Sequence, residues 1–79
     1  MINLFLDSRF GRQQEGFSQN PTLTYELGAA YTVGMQGGAM PGDYLGNLST
    51  AALGKHFAAY GGAAGGLNGG AADVSNRTL

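Results

Sequence analysis

Apolar positions fall in short blocks separated by polar or glycine-rich stretches. Ile2 to Leu6 is an apolar run, Ile-Asn-Leu-Phe-Leu, of the kind that fills a buried strand. Arg9 to Asn20 is polar and irregular and reads as a long loop after that strand. Asn20-Pro21 is a helix start, with Asn at the N-cap and Pro at the first helical position, where a missing N–H loses nothing. Leu23, Leu27, Ala30, Tyr31 and Gly34 recur at three- and four-residue steps and define one face of an amphipathic helix. Gly37-Gly38 ends it by supplying a residue able to take a positive φ.

Beyond the helix, Pro41-Gly42 and Gly46-Asn47 mark Ala39 to Leu48 as a loop. Ser49 to Phe57 is ambiguous by periodicity: its alanines permit a helix, and its length and the glycines after it fit a buried strand equally well. Tyr60 to Gly70 is too rich in glycine to be the interior of an element. Ser75 reads as the N-cap of a helix that Leu79 cuts short. The order strand, loop, helix, loop, strand, long loop, helix start describes an α/β fold, a parallel β/α unit in which a helix bridges two buried strands. Two strands cannot close a sheet, so the pattern predicts a piece of a larger structure.

Composition points the same way. A chain of 79 residues is at most one small domain, and domains of this size usually rely on disulfides or a metal. There is no cysteine, and one histidine with the available carboxylates matches no structural zinc spacing. Charged residues are 11% of the chain, against roughly 25% in soluble domains, a deficit expected of an interior segment. A net charge of -1 with four Lys plus Arg argues against nucleic acid, and no apolar run approaches the ~20 residues that cross a bilayer. The start, with no positive n-region and an early Asp7, does not read as a signal peptide. Compartment cannot be read from these residues.

The glycine-rich stretches match no phosphate-binding spacing. There is no GxGxxG, and Gly54-Lys55 lacks the upstream glycine of a P-loop and has His56 where Ser or Thr should stand. No HExxH occurs, and the sequons at Asn47 and Asn76 carry little weight. The scarce ionic residues do cluster: Arg9, Arg12 and Lys55 are three of the four cations, and Lys55-His56-Phe57 closes an apolar segment. Neighbouring side chains on a strand point to opposite faces, so Lys55 and His56 can meet one ligand only at the strand's end, where β/α barrels build their sites. The competing reading pairs Lys55 with a carboxylate and leaves His56 as a satisfied core histidine.

Three segments resemble family 3 glycoside hydrolases. Arg9-Phe10-Gly11-Arg12-Gln13-Gln14-Glu15-Gly16-Phe17-Ser18-Gln19-Asn20-Pro21 is similar to the family's D-P-R-W-G-R-x-x-E-x-x-x-E-D-P. Gly54-Lys55-His56-Phe57-Ala58-Ala59-Tyr60-Gly61 resembles A-K-H-F-x-x-Y-G, and Asp73-Val74-Ser75-Asn76-Arg77-Thr78-Leu79 resembles D-x-S-x-R-T-L. Gln36-Gly37 matches the L-Q-G that ends the intervening helix. Ser8 and Phe10 depart from the usual proline and tryptophan, and Gln19-Asn20 from the usual acidic pair. The loop Ala63 to Gly70 lacks the charges of the common E-G-G-R-D.

The resemblance implies part of a (β/α)8 TIM barrel, residues 1–79 being a fragment of the N-terminal barrel domain. It also implies a retaining β-glucosidase, with xylosidase as the second choice, and no cofactor or metal. Arg12, Lys55 and His56 match residues that hydrogen-bond the hydroxyls of the non-reducing-end sugar. Glu15 either neutralises Arg12 and fixes its fork or is a solvated loop carboxylate. The catalytic carboxylates are expected outside this chain: the nucleophile belongs to an S-D-W or S-D-Y motif after K-H-F, and Gly42-Asp43-Tyr44 precedes it in a turn. The partners implied are a carbohydrate and the rest of a parent enzyme, with no nucleic acid and no membrane. The alternatives are a non-catalytic glycan- or partner-binding remnant of the same barrel and a Gly/Ala-rich structural segment.

Overall fold

The computed structural model describes residues 1–40, 42–43 and 45–79, so Pro41 of the Pro41-Gly42 loop signal and Tyr44 of Gly42-Asp43-Tyr44 lie outside the described residues. Helix α1, Pro21–Gln36, is the one α-helix among them. Its ends are those the sequence predicts. The Asn20 side chain accepts the Leu23 N–H at 3.1 Å, Pro21 opens the first turn, and Gly37 ends the helix at φ 90, where a side chain would be strained. Two last-turn carbonyls, otherwise without helical partners, accept from the following loop: Met35 from the Thr50 N–H at 2.9 Å and Gln36 from the Leu45 N–H at 2.7 Å.

The contact face of α1 differs from the predicted stripe. Leu23 and Leu27 are exposed, whereas Thr24 is buried, Gly28 lies against Ile2 and Phe17, and the Tyr31 ring sits 5.8 Å from that of Phe17. The observed face thus keeps Tyr31 of the predicted stripe but takes Thr24 and Gly28 in place of Leu23 and Leu27, each one residue along. Periodicity locates the apolar side chains, but here no neighbouring element covers the two leucines.

Neither Ile2–Leu6 nor Ser49–Phe57 forms a β-strand among the described residues, which corrects the two-strand expectation. The two segments do lie side by side, joined where the Ile2 N–H donates to the Lys55 carbonyl at 3.0 Å. The next rung is made by a side chain: the His56 N–H donates to Asn3 Oδ1 at 2.7 Å, and Asn3 Nδ2 donates to the His56 carbonyl at 3.3 Å. The Asn3 amide therefore occupies the main-chain groups that a β-ladder would use. With one neighbour apiece and no further strand, the pair does not propagate.

Among the described residues, short 3-10 segments lie at Ser8–Phe10, Gln13–Glu15, Tyr60–Gly62 and Ala64–Gly66, the last kinked at Gly65 with φ 65. An isolated antiparallel bridge joins Ala63 to Ala72 and closes the glycine-rich loop. The expected helix at Ser75 is one turn, with the Ser75 Oγ accepting the Thr78 N–H at 3.3 Å. Asp43 stands in a turn as expected, its N–H donating to the Met40 carbonyl at 3.0 Å.

The core is small: Phe5, Phe10 and Ala63 are buried, with Met1 and Tyr60 packed against them. Large apolar side chains elsewhere face outward, Leu48 and Phe57 almost completely. The radius of gyration is 14.8 Å, above the about 11.6 Å of a compact domain this long.

Candidate functional site

The two cations and the histidine of the predicted pocket are carried on the segments either side of α1. Residues 1–17 bring Arg12, and residues 54–70 bring Lys55, His56 and the ring between them and Arg12, that of Tyr60. This ring is wedged against Phe10 at 5.0 Å, edge-on at 85°, and against Phe5 at 6.4 Å. The buried backbone of Gly61 presses on the Leu4 carbonyl so closely that any Cβ there would collide with it. That close approach is what holds Tyr60 over the core.

Arg12 forks onto Glu15, with Nε–Oε1 and Nη2–Oε2 both at 2.7 Å, so Glu15 is a paired carboxylate on an exposed loop. These hydrogen bonds raise the guanidinium above its ordinary range. They hold the Glu15 carboxyl below its usual value against a partial desolvation, with Lys55 and the terminal ammonium adding weaker attraction. Arg12 Nη1 donates to the Tyr60 hydroxyl at 2.8 Å. Of the five guanidinium N–H donors, three are engaged and two remain for an incoming acceptor.

His56 is stacked on the other side of the hub, its ring 4.0 Å from that of Tyr60. Its Nδ1 lies 3.2 Å from Asn3 Oδ1, and the orientation of the Asn3 amide is fixed by its two bonds to the His56 backbone. An amide oxygen only accepts, so Nδ1 carries the proton and Nε2 is left as an acceptor. His56 is half-buried and partnered on one nitrogen, with the second left available.

Lys55 stands apart. Its side chain is exposed and forms no ion pair among the described residues. It borders a cavity of ≈ 360 Å³ shared with Glu15 and Phe17, whereas His56 borders another of ≈ 410 Å³ shared with Asn3, Leu4 and Tyr60. Arg12 and His56 therefore meet at Tyr60, and Lys55 opens on a neighbouring space across Glu15. Asn3 and Asn68 are not singled out in the sequence, and Tyr60 stands there only as the tyrosine of the A-K-H-F-x-x-Y-G resemblance, with no role attached. An Asn inside an apolar run is the signal that could have marked Asn3, and Tyr60 follows His56 by four residues; Asn68 carries no such mark.

A guanidinium with free donors beside an imidazole with a free acceptor, both on aromatic walls, suits a ligand bearing hydroxyls. The whole chain, residues 1–79, matches the family model of the glycosyl hydrolase family 3 N-terminal domain, and the chain belongs to that family. Among curated relatives it is 41% identical over 78 residues to a putative β-xylosidase of Formosa agariphila, covering 98% of this chain and 10% of that protein. It is 35% identical over 79 residues to a periplasmic β-glucosidase of Salmonella typhimurium, covering 100% of this chain and 10% of that protein. To a probable β-D-xylosidase of Arabidopsis thaliana it is 39% identical over 61 residues, covering 75% of this chain and 8% of that protein. The chain thus spans about a tenth of the length of the curated relatives it matches. No solved structure matches it.

Proposed function

We propose that this chain is a segment of the (β/α)8 barrel of a retaining β-glucosidase, supplying sugar-binding side chains while the catalytic carboxylates lie elsewhere in the enzyme. The observation that carries this reading is the family match over residues 1–79. The convergence of Arg12 and His56 on Tyr60 supports it. In this reading the remaining Arg12 donors and the Lys55 ammonium donate to sugar hydroxyls, and His56 Nε2 accepts from one. Bonds with a charged donor are the stronger kind, on the order of 1.5–3 kcal/mol each. The missing strands are completed by neighbours from the rest of the barrel, against which Leu23, Leu27 and Phe57 would pack.

Lys55 is the sharpest test because no contact among the described residues gives its ammonium a structural task. In the full-length enzyme, Lys55→Ala should lower kcat/KM for an aryl β-glucoside by roughly ten- to a hundredfold. If the bond strengthens as the ring flattens toward the oxocarbenium-like transition state, kcat falls as well. Unchanged kinetics with a lowered Tm would sink the binding role. Faster turnover of an aryl β-xyloside than of the glucoside would move the substrate assignment to xylosides and leave the site intact.

A further inference from the structure

We infer that Tyr60 is a positioning residue through which the glycine-rich loop sets the Arg12 guanidinium, with Asn68 as the anchor at the loop's end. This rests on the reading of Arg12 as a sugar-binding donor. The Tyr60 hydroxyl accepts from Arg12 Nη1 at 2.8 Å and donates to Asn68 Oδ1 at 2.9 Å. One hydroxyl proton can point only one way: directed at Asn68, it presents its lone pairs to Arg12. If Asn68 lost its oxygen, the hydroxyl would be free to rotate and the alignment toward Arg12 would be shared with water.

Three features hold the relay. The Tyr60 ring is fixed by Phe10, Phe5 and His56. Asn68 is carried on a loop closed by the Ala63–Ala72 bridge and by the Ala64 N–H donating to the Ala71 carbonyl at 2.8 Å. Glu15 grips the other edge of the guanidinium, so Tyr60 decides its rotation about that grip. Glu15 and Tyr60, the latter backed by Asn68, fix the plane of one side chain, an arrangement that would set where its two unengaged donors point. The loop that lacks charge would then act on the ligand through Arg12 and not by touching it.

The test is a double-mutant cycle in the full-length enzyme, with kcat, KM and Tm measured on an aryl β-glucoside. Tyr60→Phe should lower kcat/KM about three- to tenfold, and Asn68→Ala about two- to fivefold. Because Asn68 acts through the hydroxyl, the double variant should lose no more than Tyr60→Phe alone. Asn68→Asp, which keeps an acceptor, should recover most of what Asn68→Ala loses. Additive losses, or an unchanged Asn68→Ala, would overturn the relay. Arg12→Ala separates the two layers. If it cripples kcat/KM while Tyr60→Phe is silent, the relay fails and the sugar-binding reading stands. If Arg12→Ala leaves kinetics unchanged, that reading fails and the relay goes with it.

Discussion

Asp7 shows how a single side chain closes a turn on its near neighbour in the chain. Its carboxylate accepts the Arg9 N–H at 2.9 Å and the Arg9 Nε at 3.0 Å, and these bonds hold it down from 3.8 to about 2. A carboxyl depressed on folding adds stability at pH values above its unfolded pKa, and the contribution disappears as pH falls through the folded one. The Tm gap between the full-length enzyme and its Asp7→Asn variant should therefore be constant above pH 3.8 and close as pH approaches about 2. A gap that widened on acidification would contradict that sign. At this scale the sequence was informative for charge and poor for geometry. The Arg12–Glu15 fork was one of two open readings, because a spacing of three residues permits a pair without requiring it. The role of Tyr60 as a hub was illegible, because its bond to Arg12 joins residues 48 apart in the chain.

Helix α1 is the element most legible in the sequence, since its signals are local: Asn20, Pro21 and Gly37 act on their own backbone. Losing the cap oxygen in Asn20→Ala should destabilise the full-length enzyme by about 1 kcal/mol, with Asn20→Ser restoring most of it. A Tm that Asn20→Ala leaves unmoved would show the cap to be dispensable there. The strands were not legible in the same sense. Their apolar content was read correctly, but a strand is defined by partners, and the pairing of Ile2 with Lys55 stops where Asn3 takes over the His56 main chain. The contact face of α1 was misjudged by one residue for the same reason: what covers a face is a property of the neighbours.

At the scale of the molecule, the balance among the described residues is between a core of three buried apolar residues and many apolar side chains facing outward. The isolated chain should show no cooperative thermal transition and poorly dispersed amide resonances. It should also hydrolyse no aryl β-glucoside above background. A sharp monomeric melting transition would contradict the first expectation. Turnover abolished by Asp43→Asn would contradict the second and the assignment of Asp43 to the turn. The two sides of the Tyr60 hub are joined by a stretch no described residue of which hydrogen-bonds to it: Asn3 and Arg12 lie before α1, His56, Tyr60 and Asn68 after the loop that follows. That stretch behaves as a tether. The entropy of closing it grows only with the logarithm of its length, about 0.6 kcal/mol for each doubling. The exposed turn around Asn47 and Leu48 is thus the place where related chains can gain or lose residues while the geometry at Tyr60 stays the same.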